Sequence, residues 1–472
     1  MDPRHINSKT RPLAAFALAA MVWIGFWPTL RVGFMIDDPF LLSAIEAAPE
    51  WSWKNFQAEL HQGVHRQSQS VYFRPALSWM VRTEFTLWGR NPLGYHMVTL
   101  LFHTANTCLL FLILLTLGIP GMTAWVAGAF YAVNPIVIDD FLASTGGDSM
   151  ATFFLFASIL FYLRERYWTC WLLSFPAVFA KESGAVLPLF LLLFHVHLNR
   201  SKSQALKIGG VFPAIILFAY LRAQSVQSPP GFTLDSSLRF LVMAFPKICL
   251  HYVRVVLFPV NMETWPPIVP LSHLWPVYLA ALLAILIACA KVPAGRLYAG
   301  WFLVGLLPRV PAMIYSNVLM EKWAAVSGPG LFLPLAAYAT RFWESPRKAL
   351  RIVSSVVVAG FLLGWISIAY INVARRGSDE KNYRWSIRDR PRDFANYRLG
   401  VILLRSGRPA EAIRVLQPLL KVLENDADYQ NLYALALWDS GDRNGARHLM
   451  EYLRHRFPNH PAIAGNAKRM SA

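Results

Sequence analysis

The chain has 472 residues, 55 % of them hydrophobic and only 15 % charged, with a formal net charge of +18. Soluble domains carry about 25 % charged residues, so these figures argue against a soluble globular enzyme, and the apolar and aromatic content excludes disorder. Basic residues stand mostly beside apolar runs, so the positive charge reads as positive-inside bias and attraction to membrane lipid, with no nucleic-acid partner expected.

A membrane-spanning helix needs about 20 mostly apolar residues. The first run, 13–30, follows Arg4, Lys9 and Arg11 and has no clear small-residue cleavage site after it, which predicts a retained first helix. Further spans are predicted over 94–117, 121–138, 148–163, 168–180, 183–198, 208–222, 273–290, 297–308, 325–340 and 350–372, giving about eleven. The short ones fit helices packed inside a bundle or ending in a protein-lined cavity.

The segment 238–259 is apolar enough to span but carries Arg239, Pro246, Lys247, His251 and Arg254. If it does not cross, the groups Arg164/Arg166, Arg200/Lys202/Lys207, Lys291/Arg296 and Arg341/Arg347/Lys348/Arg351 all face the cytoplasm. If it crosses, the last two groups flip outward. The positive-inside rule therefore predicts an interfacial or re-entrant segment, a cytoplasmic N-terminus and an exoplasmic C-terminus, with Arg375 and Arg376 as the exception.

Residues 374–472 hold 29 of the chain's charged residues, against 43 in the first 373. This break predicts two domains, a membrane body over 1–373 with a Trp- and Phe-rich exoplasmic loop at 31–92, and a soluble tail over 374–472. In the tail Ser406-Gly407 recurs as Ser440-Gly441, Leu399-Gly400 as Tyr433-Ala434, and Ala412 as Ala446, all at a spacing of 34. That period and Phe457-Pro458 fit a helix–turn–helix repeat of the tetratricopeptide (TPR) type, leaning on helices near 388–398 and 459–470 or on the membrane body. The expected fold class is all-α, a polytopic membrane helix bundle with a small C-terminal tetratricopeptide-type helical domain. The four cysteines lie inside apolar stretches with no metal-ligand or paired spacing and read as small core hydrophobes.

Ionisable groups near membrane depth are costly, so each calls for a reason. Asp37 and Asp38 follow the first span directly; they suit a general base or a metal, or an Asp capping a helix opened by Pro39. Arg74, between aromatics and Pro75, suits a phosphate or carboxylate partner, or snorkelling to head groups. His96 and His103 share a helix face with Thr99 and Asn106, a polar stripe for the bundle interior that interhelical hydrogen bonding explains equally well. Asp139, Asp140 and Asp148 share a short predicted exoplasmic turn. Lys181-Glu182 and Glu321-Lys322, with Arg309 upstream, form either neutralised turns or cations presented to a lipid phosphate. Together, acidic and basic groups gather on the predicted exoplasmic side, which suits chemistry on a lipid-linked phosphate.

In order, the set runs Asp37-Asp38, Tyr72-Phe73-Arg74-Pro75, Trp88 to His96 with His103, Asn134-Pro135-Ile136, Lys181-Glu182 and Glu321-Lys322. It resembles the GT-C superfamily of integral-membrane glycosyltransferases over most of 33–372. The likeness is greatest to the branch joining a membrane body to tetratricopeptide repeats, which includes the transmembrane O-mannosyltransferases. The resemblance implies a polyprenyl-phosphate-sugar donor, a protein or glycolipid acceptor, and an exoplasmic active site; the compact chain and short tail suggest a bacterial inner membrane, hence a periplasmic site, and an endoplasmic reticulum location would carry the same topology. It implies that Asp38 or Asp37 acts as base on the acceptor hydroxyl and that transfer inverts the anomeric carbon. Arg74, Lys181 and Lys322 would stabilise the leaving phosphate, with His96, His103, Asp139, Asp148, Glu182, Arg309 and Glu321 lining the site. No cofactor is implied; a divalent metal is open to the paired Asp but not required. There are departures: Thr145-Gly146-Gly147-Asp148 lacks the family's Arg, Thr99 replaces an Asn, and Glu321-Lys322 replaces Glu-Arg. The competing functions are a transporter or flippase of lipid-linked sugars, disfavoured by the absence of similar halves, and a scaffold that recruits a partner through its repeats.

Overall fold

The computed structural model describes residues 10–61, 72–226, 234–264, 266, 268, 273–316 and 318–471. Among them there are helices and turns and no β-strand. The chain divides into two compact units, Met1–Val373 and Ala374–Ala472.

In the first unit the helices are α1 (Arg11–Phe26), α2 (Asp38–Glu46), α3 (Trp53–His61), α4 (Pro75–Trp88), α5 (Pro92–Thr116), α6 (Gly121–Val133), α7 (Ile138–Leu142), α8 (Gly147–Leu163), α9 (Tyr167–Ala180) and α10 (Leu187–His197). They continue with α11 (Lys202–Leu206), α12 (Phe212–Ser225), α13 (Leu234–Arg239), α14 (Phe245–Leu257), α15 (Trp275–Ala290), α16 (Pro293–Leu306), α17 (Val310–Ser316), α18 (Pro329–Trp343) and α19 (Lys348–Arg376). Proline opens many of them. Pro39, Pro75, Pro92, Pro293 and Pro329 stand in first turns, where the missing N–H has no helical partner to lose.

Seven helical stretches are long and apolar enough to cross a membrane: Arg11–Arg31, Pro92–Thr116, Gly121–Leu142, Lys202–Ser225, Ser237–Leu257, Ala294–Ile314 and Lys348–Arg376. Four shorter apolar helices accompany them, Gly147–Leu163, Tyr167–Ala180, Glu182–His197 and Trp275–Ala290. The protein is thus an all-α, polytopic integral membrane bundle. The segment around 238–259 is a single helical stretch, interrupted only by a π turn at Phe240–Ala244. The span expected at 325–340 is a 15-residue helix beginning at Pro329.

The bundle centre is α6, every residue of which from Val126 to Val133 is buried. Around it pack α1, α5 and α18. Small residues allow the approach: a methyl on Gly128 would stand 3.2 Å from Leu18, and Gly25 lies against Val133. Helices α2, α3 and α4 lie in the described parts of 31–92, with Trp51 and Trp53 largely exposed, which suits an interfacial structure.

The second unit is a series of antiparallel helices, α20 (Asp379–Ser386), α21 (Asp393–Arg405), α22 (Pro409–Leu416), α23 (Ala427–Ser440), α24 (Arg443–Arg456) and α25 (Pro461–Ser471), each packing on the next. The 34-residue period has a structural reason. Gly400 and Ala434 are both buried where helices cross, as are Ala412 and Ala446. Gly407 and Gly441 take positive φ, 67° and 97°, just after α21 and α23, a conformation that glycine adopts without strain.

Candidate functional site

The site is built where the ends of α1, α4, α6, α8, α9 and α16 meet. Its first carboxylate is Asp38. The backbone reaches it through Ile36, whose φ of 63° is a strained conformation for a β-branched residue. Helix α2 starts at Asp38 with Pro39 in its first turn, so Asp38 occupies the first helical position and Asp37 the cap. Asp37 is exposed, whereas Asp38 is fully buried. Asp38 Oδ2 accepts from Met35 N at 3.1 Å and from Ser144 N at 2.9 Å. Its Oδ1 makes no hydrogen bond among the described residues. Burial pushes the Asp38 carboxyl up to about 6, against the two N–H donors that favour the charged form.

The segment carrying Ser144 also holds the second centre. Asp140 accepts from Ser149 N at 2.8 Å, from Ser149 Oγ at 2.5 Å and from Asp148 N at 3.2 Å, which fixes the turn before α8. Gly146 in this turn has φ of 52°, and a Cβ there would lie 2.4 Å from Thr99 Oγ1. Glycine is therefore required twice over, by conformation and by space.

Cations from distant segments converge on Asp148. Lys181, at the break after α9, donates to Oδ2 at 2.5 Å, and Arg309, at the end of α16, donates to Oδ1 at 2.8 Å. Lys322 Nζ stands 3.6 Å from Asp148 Oδ2 and 4.0 Å from Asp140 Oδ1, beyond hydrogen-bond length of both. Asp140 thus shares Lys322 with Asp148, and Arg309 Nε lacks a hydrogen-bond partner among the described residues. Burial and the crowding of Arg309, Arg74 and Lys322 bring the Lys181 ammonium down to about 7, against the pull of Asp148. Burial also works against the charge on Lys322, but Asp148, Asp140, Asp139 and Asp37 outweigh it and hold that ammonium above its ordinary value.

The other expected residues are placed differently. Arg74 is paired with Glu182, its Nη2 3.0 Å from Oε2, and lies over the Tyr72 ring at 4.5 Å, so its charge is already matched. His96 Nε2 meets the Val32 carbonyl at 2.9 Å, and His103 Nε2 meets that of Ala132 at 3.3 Å while its ring stacks on Tyr131. His96 and His103 thus tie α5 to α1's exit and to α6. Asp139 and Glu321 are buried beside the cluster. Among the described residues no group of three or more His, Cys, Asp or Glu is arranged to hold a metal ion.

Sequence reasoning missed two features. Ser144 acts through its backbone N–H, which no residue type advertises. Glu84 in α4 is 2 % exposed, and neither of its carboxylate oxygens has a hydrogen-bond partner among the described residues. Burial, and then the charge of Asp38, hold its pKa well above the usual carboxylate range. An acid within an aromatic, helical stretch was the available signal.

No family model matches the chain. It is similar to Protein O-mannosyl-transferase TMTC3 of Homo sapiens, 21 % identical over 252 residues, which are 50 % of this chain and 27 % of that protein. It is also similar to Protein O-mannosyl-transferase Tmtc1 of Drosophila melanogaster, 26 % identical over 253 residues, 51 % of this chain and 28 % of that protein. The matches span little more than a quarter of each relative's length. The chain is therefore an integral membrane protein with weak sequence similarity, over about half its length, to two proteins named as protein O-mannosyl-transferases.

Proposed function

We propose that the protein is a membrane glycosyltransferase that moves a sugar from a polyprenyl-phosphate donor to a hydroxyl of a protein or glycolipid acceptor. The observation that carries this reading is the convergence of Lys181, Arg309 and Lys322 on Asp148, with Arg309 Nε lacking a hydrogen-bond partner among the described residues and Lys322 Nζ held only at ion-pair distance from Asp148 and Asp140, on the same turn that holds Asp38. Such donors suit phosphate oxygens, and the relatives' names add the transferase class.

In this mechanism Asp38, ionised above about pH 6, takes the proton of the acceptor hydroxyl through its open Oδ1. The acceptor oxygen attacks the anomeric carbon from the face opposite the phosphate. The bond from that carbon to the phosphate oxygen breaks, and its electron pair stays on polyprenyl phosphate, giving inversion. Negative charge grows on the leaving phosphate, where Lys322 and Arg309 stabilise it more in the transition state than in the ground state. Lys181 orients Asp148 and, with an anion bound, stays protonated. Arg74, matched by Glu182, holds the start of α4 in place.

The same reading puts the site and the second unit, a TPR-like domain suited to holding an acceptor, on the exoplasmic side, the periplasm if the host is bacterial. It calls for no metal or other cofactor. Purified protein in nanodiscs, given polyprenyl-phosphate-mannose and an extract of acceptor proteins, should release polyprenyl phosphate, and Lys322→Met should slow release by about 10²-fold or more. Equal release by Lys322→Met would remove the leaving-group role. No release with any of several polyprenyl-phosphate sugars would count against the transferase.

A further inference from the structure

By length and composition Ser237–Leu257 qualifies as a membrane crossing. The ion cluster says otherwise. Lys181 and Arg309 both touch Asp148, so they lie on one side of the membrane. Between them come Glu182–His197, Lys202–Ser225, Ser237–Leu257, Trp275–Ala290 and Ala294–Ile314. Arg309 stands just past α16, near the end of the last of these. Were all of them to cross, the odd number would place Arg309 opposite Lys181. An odd number of the five, at least one, therefore does not cross, and the distribution of polar residues identifies it.

Phe245, Ile248, Cys249, Tyr252, Val255 and Val256 form the buried face of α14. Lys247, His251 and Arg254, spaced by four and three residues, share the opposite face, where Arg254 is exposed and the other two half-buried. In a crossing helix Lys247 would sit at mid-depth, with its charge toward lipid hydrocarbon. By contrast, α15 is apolar throughout and has no buried residue, as a lipid-facing span should.

Both ends of the segment also reach the same end of the bundle. At its start α13 packs on α17, which follows Arg309. Lys247 Nζ lies 5.9 Å from the Tyr278 ring, near the beginning of α15. Toward its end Tyr252 donates to the Met320 carbonyl at 3.0 Å, beside Glu321, and Asn134 donates to the Val256 carbonyl at 2.9 Å. Phe258 and Val260, just beyond, are exposed apolar residues able to enter the lipid boundary.

We propose that residues 237–257 do not cross the bilayer but lie along its surface on the side of the Asp148 cluster, with Lys247, His251 and Arg254 turned to lipid phosphate head groups. The segment is then an amphipathic rim helix that holds α17 and the Met320–Glu321 turn near the membrane surface. This inference uses only the bundle geometry and stands whether or not the protein transfers sugar.

Single cysteines placed in the full-length chain at Asp235 and Val260, with Lys54→Cys and Arg347→Cys as references, test it with a membrane-impermeant maleimide. The unaltered chain controls for Cys108, Cys170, Cys249 and Cys289. Asp235→Cys and Val260→Cys should label from the same side as Lys54→Cys, and Arg347→Cys from the other. Labelling of Asp235→Cys and Val260→Cys from opposite sides overturns the proposal. The lipid contact is read with a bimane on Arg254→Cys in nanodiscs of phosphatidylglycerol and phosphatidylcholine. Nitroxide on lipid head groups should quench it more than nitroxide at chain ends. Stronger quenching from chain ends, or none from either, contradicts the head-group contact.

Discussion

The protein contains two ion clusters with similar ingredients and opposite settings. In the second unit Glu380 and Glu411 meet Arg384 and Arg408 at 2.7–2.9 Å, linking α20 to α22 at the surface. Water screens these pairs and replaces them readily when they break, so they add little. In the first unit Asp148 meets Lys181, Arg309 and Lys322 away from water, and the match is incomplete. Buried charges are costly to assemble, and a buried cation short of acceptors exerts a standing attraction on an anion. The surface cluster is a fastening between neighbouring helices. The buried one draws on segments more than a hundred residues apart and fits a role in binding and chemistry.

Four substitutions and a pH profile sharpen or break that contrast. The largest effect is expected at Asp38. Asp38→Asn should lower sugar transfer by about 10²–10⁴-fold, with thermal stability retained, because an amide oxygen still accepts from Met35 N and Ser144 N. Asp148→Asn should cost stability instead, about 3–5 kcal/mol, since it leaves buried cations without their carboxylate; a circular-dichroism melt in detergent would read it. An unchanged melt would mean that the cluster is solvated in the membrane.

Next in size is pH. The Asp38 carboxyl is raised to about 6, so its base form is present above that pH and lost below it. Transfer rate should therefore fall as pH drops through about 6. The Lys181 ammonium, lowered to about 7, loses its proton as pH rises past that value, so binding of polyprenyl phosphate should weaken on the alkaline side. A flat profile from pH 5 to pH 8 (about two units around these values) would contradict both assignments. Gly146→Ala should destabilise by about 1–3 kcal/mol through its left-handed backbone and the Thr99 contact. Glu411→Gln should leave the melting temperature unchanged, as a screened surface pair predicts.

The bundle was readable because spans announce themselves by composition over long windows, and most were placed within a few residues. The 34-residue tail period was readable because small and turn residues recur at fixed positions, as Gly400/Ala434 and Gly407/Gly441 show. At the site, residue type identified the groups but not their partners. Asp148 and Lys181 are 33 residues apart in sequence and Asp148 and Arg309 161, and no local pattern reports that they touch. Arg74 and Lys181 looked alike as candidate phosphate cations; only the fold pairs Arg74 with Glu182 and leaves Lys181, Arg309 and Lys322 to share Asp148. His96 and His103 stood out by spacing, yet the Nε2 of each is engaged with a backbone carbonyl of a neighbouring segment, while His96 Nδ1 has no hydrogen-bond partner among the described residues. Ser144 and Glu84 contribute through a backbone donor and through burial, two properties that exist only after folding.

The central claim is that this membrane body transfers a sugar with Asp38 as base. Its most direct test is comparative mass spectrometry of surface glycoproteins and extracted glycolipids from cells with the intact protein, cells lacking it, and cells carrying Asp38→Asn at matched protein level. The account predicts that one defined sugar mass disappears from a specific acceptor both on deletion and with Asp38→Asn. If deletion removes the sugar and Asp38→Asn restores it fully, Asp38 is not the base, and if no sugar mass changes on deletion, the transferase reading itself is contradicted.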